Sequence, residues 1–269
     1  YPEGFVLGSA AKSVYTDSDE EATRLMGICN SSLVRLLLEA KSPTMSFVAE
    51  DVGSLPVLVD DGSAKLLSTI EELQDNAKED WDDSESSWGF VSNSLVANGK
   101  AKSLAESFEE YSEYWRGITL RQRELEELNN ELVAELYDLS HEVQPGVPLE
   151  DVTLVRNPAF RYSAKAMEQH DVLFRQDAVG DLVSFAVGCM FGRYSLDEPG
   201  LVLADQGATM QDYLAKVPQP TFAPDVDNVL PIVDGDWFED DIVARFRQFL
   251  RAAFGEEHFE ENLRFVEES

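Results

Sequence analysis

The chain has 269 residues, of which 43% are hydrophobic, and its 52 acidic and 21 basic residues give a net charge of −31 at pH 7. The apolar content is enough to form folded cores, which excludes a disordered acidic tail, while the charge repels nucleic acid and anionic membranes except where basic residues cluster. Cys29 and Cys189 suggest neither a disulfide framework nor a zinc site, so we expect reduced cysteines and a cytoplasmic protein. No apolar run is as long as the roughly 18 residues of a membrane span.

Residues 1–62 are predicted to form a small α/β unit. A capping box of Ser18 and Glu21 begins a helix, and Pro43 ends it near Lys41 because a proline disfavours helical geometry in the residue before it. Extended segments are predicted at residues 5–16, 44–48 and 55–59. The polar cluster at residues 60–63 then marks the end of this unit.

An apolar residue recurs alternately every four and every three positions over five heptads in the middle of the chain. The stripe consists of Leu104, Phe108, Tyr111, Trp115, Ile118, Leu125, Leu132, Leu136 and Leu139. This spacing predicts a long helix with a coiled-coil seam, which would span roughly 54 Å at about 1.5 Å per residue. An unusually long amphipathic helix lying on a globular core is the alternative interpretation.

A second segment, residues 65–81, carries the same spacing and is the predicted seam partner of the long helix. The polar loop at residues 82–101 is long enough for an antiparallel return, so residues 63–145 are predicted to form a helical hairpin. Only Gln122 and Asn129 interrupt the apolar stripe, at positions where a buried amide fixes the register at a cost in stability. Replacing both of these register pins with Leu should raise stability but permit misaligned or intermolecular pairing.

Residues 146–269 are predicted to form a compact α+β unit. Short strands are expected at residues 149–155 and 199–204, an apolar helix at residues 177–191, and an extended loop over the prolines of residues 217–231. A further helix is predicted to begin at a capping box of Asp236 and Glu239 and to stop near Gly255. The predicted fold class is therefore α+β, predominantly α-helical, with a long coiled-coil-like hairpin between two smaller units.

The string Asn157-Pro158-Ala159-Phe160 is the strongest candidate for catalysis. It is similar to the Asn-Pro-Pro-aromatic tetrapeptide of amino-methyltransferases, whose oxygens accept hydrogen bonds from the amine of a flipped base and whose ring stacks on that base. Ala159 departs from this pattern, and no glycine-rich loop after a strand precedes the string to hold S-adenosylmethionine. An ordinary turn is the favoured interpretation.

Neither a metal site nor a catalytic nucleophile is predicted. The aspartates at positions 225, 227, 234 and 236 do not have the spacing of an EF-hand, and we interpret them as a solvated acidic surface. His141, His170 and His258 are far apart in sequence, and none lies beside a candidate nucleophile.

Basic residues are scarce enough that their clusters are informative. A positive, aromatic segment surrounds Phe160 and Tyr162, and the basic residues of the first subdomain are interpreted as giving it a nearly neutral balance. The predicted DNA-phosphate contacts in these two regions are Lys12, Arg24, Lys41, Arg156, Arg161 and Lys165. For any one of them, pairing with a neighbouring carboxylate is an equally good interpretation.

Two groups of motifs resemble known DNA methyltransferases. Residues 24–31 (Arg-Leu-Met-Gly-Ile-Cys-Asn-Ser), 43–47 (Pro-Thr-Met-Ser-Phe) and 51–56 (Asp-Val-Gly-Ser-Leu-Pro) are similar, in this order, to the end of a target-recognition domain in adenine-specific enzymes. Residues 187–197 (Val-Gly-Cys-Met-Phe-Gly-Arg-Tyr-Ser-Leu-Asp), with residues 237–243 and 254–259, resemble the carboxy-terminal region of the PglX family, the methyltransferases of BREX phage-defence systems.

The resemblance implies a non-catalytic carboxy-terminal fragment that is inactive alone. Residues 1–62 would be the end of a target-recognition-like domain, residues 63–145 a helical spacer and residues 146–269 a carboxy-terminal domain. The S-adenosylmethionine site and catalytic motif of the parent would precede Tyr1, so no cofactor is expected in the fragment. DNA, in the context of the intact parent, and other phage-defence proteins are the implied partners, without a membrane. The acidity leaves an alternative, an acidic protein-interaction module or a DNA mimic.

Overall fold

The computed structural model describes residues 13–41, 48–58, 64–97, 99–233, 238 and 240–269. Over these residues the chain forms α-helices and short 3₁₀ turns, and no β-strand. The helices are α1 (Asp19–Cys29), α2 (Ser32–Lys41), α3 (Ala49–Gly53), α4 (Ala64–Asp82), α5 (Leu104–Leu136), α6 (Pro158–Arg161), α7 (His170–Met190), α8 (Met210–Lys216), α9 (Ile242–Phe254) and α10 (Phe259–Glu267). The prediction of a mainly helical chain is confirmed, whereas the α+β description is not.

The chain divides into two compact units, and the division falls inside two long helices. The first unit consists of Tyr1–Asn76 and Leu120–Val152, and the second unit of Ala77–Thr119 and Thr153–Ser269. Helices α4 and α5 therefore each contribute to both units. These limits do not coincide with the boundaries predicted at residues 62/63 and 145/146, and the three-part organisation stays a prediction.

Helices α1 and α2 replace the single helix predicted for this region. The predicted start is confirmed, since Ser18 Oγ accepts a hydrogen bond from Glu21 N at 3.2 Å. The helix nevertheless ends at Cys29, because the Asn30 and Ser31 side chains donate hydrogen bonds to carbonyl groups of α1 and so compete with continued helical bonding. The extended segments predicted at residues 5–16 and 44–48 lie almost wholly outside the described residues, and residues 55–58 form no strand.

The core of the first unit brings these short helices together with parts of α4 and α5. Its buried apolar side chains are Ile28, Leu33, Val34, Leu38, Leu66, Ile70, Val133, Ala134 and Val143. Gly27 lies at the closest approach, because a Cβ atom there would be 2.1 Å from Ile70 Cδ1 and 2.9 Å from Asn129 Oδ1. Only a glycine lets α1 come this close without a shift of its neighbours.

Helix α5 confirms the long helix predicted from the apolar stripe. It contains 33 residues, and the stripe residues Leu104, Trp115 and Leu125 are each buried. In the second unit, Tyr111 donates a hydrogen bond to Asp83 at 2.8 Å and Tyr114 donates one to Glu79, so the two helices run antiparallel there. In the first unit, Arg121 binds both Glu72 oxygens, at 2.6 and 2.8 Å. The coiled-coil seam itself stays a prediction.

The core of the second unit is built on the apolar helix α7, which starts at His170, seven residues before the predicted start. Helices α9 and α10 pack against each other, and α9 also packs against α7. The fully buried side chains at the centre of this core include Leu182, Phe185, Met190, Phe249, Leu250 and Phe254. Aromatic contacts dominate, since Phe185 stacks on Tyr194 and meets Phe249 edge to face.

Both strands predicted in the second half of the chain are wrong. Residues 149–151 form a 3₁₀ turn, and the following Val152 and Leu154 are buried. The next two amides, however, donate hydrogen bonds to the Asp80 carboxylate instead of a neighbouring strand. In residues 199–204, Gly200 has a φ of +77°, a left-handed conformation that interrupts an extended chain.

Helix α9 begins later than predicted. Its N-cap is Asp241, whose Oδ1 accepts a hydrogen bond from Ala244 N at 2.7 Å, and the predicted capping residues Asp236 and Glu239 lie outside the described residues. The predicted end is confirmed, because Gly255 follows the helix with a φ of +86°. Among the described residues, no helix is long and apolar enough to cross a membrane.

Candidate nucleic-acid interface

The string Asn157-Pro158-Ala159-Phe160 begins the short helix α6. Asn157 is buried and is the N-cap of that helix, with its side-chain oxygen accepting a hydrogen bond from Ala159 N at 3.1 Å. Pro158 occupies the first helical position, where its missing N–H is not needed. The residue types therefore serve a local turn, as the favoured interpretation predicted, and the Asn157 oxygen that a flipped base would need is already engaged.

Arg156, a predicted DNA contact, lies in the interior of the second unit. Its side chain is only 6% exposed and donates from Nε to Asp83 Oδ2 at 2.7 Å, and its Nη2 donates to the Asp83 carbonyl at 2.9 Å. Nη2 also lies 3.3 Å from Asp181 Oδ2. Because Arg156 is buried and pairs with two carboxylates, the ion-pair interpretation fits it better than a contact with DNA phosphate.

The pKa values of Arg156 and Tyr111 in this cluster both lie above their usual ranges. Burial alone would lower the pKa of Arg156, but its neighbours Tyr111, Asp83 and Asp181 hold that pKa above its usual range. Burial, together with the charge of Asp83, raises the pKa of Tyr111 far above its usual range, so the hydroxyl remains a donor. A small polar cleft beside these groups has a volume of about 10 Å³, room for about one water molecule and for no substrate.

Asp80 anchors the segment that precedes α6. Its two oxygens accept hydrogen bonds from Val155 N at 2.7 Å and from Arg156 N at 2.8 Å. Burial raises the pKa of Asp80, and the two amide donors and the Arg156 charge oppose that rise. Asp80, in the last turn of α4, and Asp83, directly after that helix, thus hold the backbone and the side chain of the same segment.

Arg161 and Lys165 remain at the surface of the second unit. The Arg161 Nε lies 2.6 Å from Asp177 Oδ2, and both side chains are about two-fifths exposed. Asp177 also accepts a hydrogen bond from the Tyr162 hydroxyl at 2.7 Å, whereas the Lys165 residue is exposed. Of the three cations that lie together in the sequence, Arg156 is buried and Arg161 is paired with a carboxylate. Only the Lys165 side chain forms no ion pair with a described residue.

The predicted contacts in the first unit are also engaged locally. Arg24 Nη2 lies 2.9 Å from Glu20 Oε1, and the arginine side chain is 15% exposed. Lys41 donates a hydrogen bond to the Ser54 hydroxyl, and Lys12 lies outside the described residues. These pairings follow the carboxylate interpretation for Arg24, and the DNA role of Lys12 and Lys41 stays a prediction.

The two predicted register pins are buried and have different partners. Gln122 Oε1 accepts a hydrogen bond from Asn76 Nδ2 of α4 at 3.1 Å, which is a cross-helix amide pair of the predicted kind. Asn129 Nδ2 donates to the Gly27 carbonyl of α1 at 3.0 Å, so it contacts a helix other than the predicted seam partner. Their effect on register stays a prediction.

Residues that could hold a metal or a cofactor do not converge in the described part of the chain. No group of three or more His, Cys, Asp or Glu side chains comes together there in a way that could bind a metal ion. Asp225 Oδ1 instead accepts hydrogen bonds from the backbone amides of Asp227 and Val229, at 3.1 and 3.3 Å, which is a local turn. A glycine-rich loop after a strand, as S-adenosylmethionine would need, is likewise not formed by these residues.

The chain is similar in sequence to two adenine-specific methyltransferases. No family model matches it. It is 31% identical over 274 residues to the adenine-specific methyltransferase BrxX of Escherichia coli O9:H4 (strain HS), a match that covers 100% of this chain and 22% of that protein. It is also 31% identical over 273 residues to the adenine-specific methyltransferase PglX of Lacticaseibacillus casei (strain Zhang), covering 98% of this chain and 21% of that protein.

The predicted resemblance to the PglX methyltransferases is confirmed. It extends over the whole chain, which spans about a fifth of the length of these curated relatives.

The PglX-like motif at residues 187–197 forms the end of α7 and the turn that follows it. Gly188 packs under Tyr194, since a Cβ atom at Gly188 would be 2.4 Å from the tyrosine ring. Gly192 has a φ of +72°, which reverses the chain so that Leu203 N can donate to its carbonyl at 3.1 Å. Residues 187–197 thus contribute to core packing and to the turn after α7.

Sequence reasoning missed one group of basic residues in this PglX-like chain. Helix α9 carries Arg245, Arg247 and Arg251 and no acidic residue. This cluster of arginines is visible in the sequence as a thirteen-residue stretch free of Asp and Glu. The apolar residues of the same stretch favoured its interpretation as a core helix.

Proposed function

We propose that this chain is a non-catalytic carboxy-terminal part of an adenine-specific DNA methyltransferase of a phage-defence system. In the intact enzyme it helps to place the target DNA and contacts other defence proteins in the cytoplasm. The observation that carries this proposal is the similarity to BrxX and PglX at 31% identity along the whole chain.

The local structure supports a structural role for the segment most similar to a catalytic motif. Asn157 caps α6 and Arg156 is buried in an ion pair, so neither is available to a substrate. S-adenosylmethionine is expected to bind elsewhere in the intact methyltransferase, and this chain would act on DNA position rather than on the methyl group.

A methyl-transfer assay tests the non-catalytic part of the proposal. The purified chain is incubated with radiolabelled S-adenosylmethionine and unmethylated DNA, and incorporation into adenine is measured. We expect none, and methyl transfer above background that survives further purification of the chain would overturn the proposal.

A replacement experiment tests the positive part. The matching fifth of Escherichia coli BrxX is deleted, or exchanged for this chain, and adenine methylation of genomic DNA is mapped. Deletion should abolish site-specific methylation, and the exchange should restore it or redirect it to another site. Undiminished methylation by the deleted enzyme at its original site would contradict a role in DNA placement.

The net charge of −31 supports a second candidate, an acidic module that occupies basic grooves of partner proteins. The two candidates differ in DNA affinity. Binding to basic proteins, without any binding to duplex DNA at low salt, would favour the acidic module.

A further inference from the structure

Helix α9 concentrates positive charge in this strongly acidic chain. It carries three arginines and no acidic residue, whereas the whole chain has a net charge of −31. Because the net charge repels phosphate from most of the surface, a contact with DNA has to be made where cations are concentrated.

Two of the three arginines lie on one outward-facing side of α9. Val243, Arg247 and Arg251 follow one another at four-residue spacing and are therefore stacked along one side of the helix, with a rise of about 6 Å per step. Val243 is 49% exposed, which shows that this side meets solvent. Arg247 is half-buried, its Nε is buried without a hydrogen-bond partner, and its guanidinium forms no ion pair with a described residue, so none of these residues' carboxylates neutralises its charge.

Arg251 is held in place but is only weakly occupied. Its guanidinium lies over the Phe259 ring, 3.4 Å from the ring centroid, which fixes the plane of the group. It is paired with Glu256 at 3.0 Å, and that glutamate side chain is 74% exposed. An exposed ion pair contributes little, so a phosphate group, which an arginine can bind through two parallel hydrogen bonds, can displace Glu256.

A turn packed against α9 adds one cation, whereas another arginine of the helix is used internally. The 3₁₀ turn Gly99–Ala101, which carries the exposed Lys100, packs against α9. Arg245 is used internally instead, because its Nη2 donates to the Ala223 carbonyl at 2.5 Å and its guanidinium lies over the Phe222 ring.

We propose that this side of α9, with Arg247 and Arg251 and the adjacent Lys100, binds phosphate groups of the DNA backbone. The inference rests on the proposed function, which makes DNA the polyanion that the chain meets. Arginine contacts to phosphate hold a protein on the duplex without reading its sequence, so this side of α9 positions the DNA. It is distinct from the segment around Arg156 and Arg161 that sequence patterning selected.

The test measures binding of the full chain to a short fluorescent DNA duplex by anisotropy, in salt from about 50 to 200 mM. The variant Arg247→Gln/Arg251→Gln should bind about tenfold more weakly at the low-salt end, and its salt dependence should fall by about one unit of slope per arginine. The matched control is Arg35→Gln/Lys65→Gln, which removes the same charge from the first unit. Arg35 is a fair match because it also pairs with an exposed glutamate, Glu39 at 3.0 Å.

Two further variants separate binding from folding. Arg247→Lys/Arg251→Lys keeps the charge and should recover most of the affinity, whereas Glu256→Gln removes the competing carboxylate and should tighten binding. A gain of affinity cannot arise from unfolding, and thermal melts by circular dichroism check every variant.

The outcomes distinguish this inference from the proposed function. If the wild type binds DNA and the α9 variant binds equally well, or no more weakly than the control, the α9 inference fails while a DNA-placing role stands. If the wild type binds no DNA at any salt, the DNA-placing role fails and the inference fails with it.

Discussion

The Arg156 guanidinium donates a hydrogen bond to Asp83 Oδ2 at 2.7 Å, with both side chains less than a tenth exposed. Tyr111 donates to the same oxygen at 2.8 Å, so the Asp83 carboxylate, directly after α4, connects α5 with the segment before α6. The residue that looked most like a DNA contact in the sequence is therefore the centre of an internal network.

This network predicts a large cost for losing the arginine. Arg156→Met should lower the free energy of unfolding by about 3–5 kcal/mol, because Asp83 would stay buried without its counter-charge. The measurement is urea denaturation followed by circular dichroism. As a control, Arg161→Met breaks a half-exposed pair and should cost at most about 1 kcal/mol. Equal costs for the two variants would show that the buried pair is not structural.

The amide pair between Asn76 and Gln122 changes the expectation for the register pins. Gln122→Leu leaves the buried Asn76 Nδ2 without its acceptor and should cost about 1–3 kcal/mol, whereas Asn76→Leu/Gln122→Leu should be nearly neutral. The sequence alone predicted that replacing Gln122 and Asn129 with Leu would raise stability. Denaturation of the single and double variants, with sedimentation velocity to detect intermolecular pairing, decides between these expectations.

Glu126 predicts a pH dependence in the first unit. Burial is the main cause that raises its pKa from 4.5 to about 7, although the Gln122 side chain donates a hydrogen bond to it. A raised folded-state pKa means that folding favours the protonated carboxyl. The stabilising contribution of the protonated Glu126 carboxyl is complete below about pH 4.5 and is lost as the pH rises through about 7.

Glu126→Gln should therefore be more stable than the wild type at about pH 8 and no more stable at about pH 4. Urea denaturation at both values measures this, and the matched control is Glu131→Gln, an exposed position on the same helix. An unchanged difference between variant and wild type across this range would contradict the buried, protonated carboxyl.

Replacing a helical glycine with alanine should lower the stability of the protein at Gly27 and raise it at Gly117. Gly27→Ala places a methyl group 2.1 Å from Ile70 Cδ1 and should cost about 1–3 kcal/mol through overpacking. Gly117→Ala, on α5, meets no atom within 4 Å and should gain up to about 1 kcal/mol from helix propensity. Thermal melts of the two variants check this. A gain in both would mean that α1 does not approach α4 as closely as described.

Local patterns in the sequence predicted local structure well. The periodic apolar stripe predicted helix α5, the Ser18 and Glu21 capping box predicted the start of α1, and Gly255 marked the end of α9. Each of these depends on interactions within a few residues. The strand predicted at residues 149–155 is wrong because the backbone amide of Val155 donates to the Asp80 side chain, more than 70 positions away in the chain, and not to a neighbouring strand.

The candidate DNA contacts show the same limit. Arg156 and Arg161 are five positions apart in the sequence, yet Arg156 is buried against Asp83, which follows α4, and Arg161 is half-exposed beside Asp177 of α7. Only the folded chain could make that distinction. In α9, the absence of acidic residues was legible in the sequence, but which arginines face outward was not.

The sequence by itself determined the helical character of the chain, its strong negative charge and its resemblance to PglX methyltransferases. Composition, periodicity and motif order can be read along the chain without knowing which distant residues meet. The tertiary structure decided which cations are buried, that Asn157 caps a helix, and that α4 and α5 are shared between two compact units. Those features depend on residues brought together from distant positions, where burial and a facing carboxylate determine whether a charge serves the core or the surface.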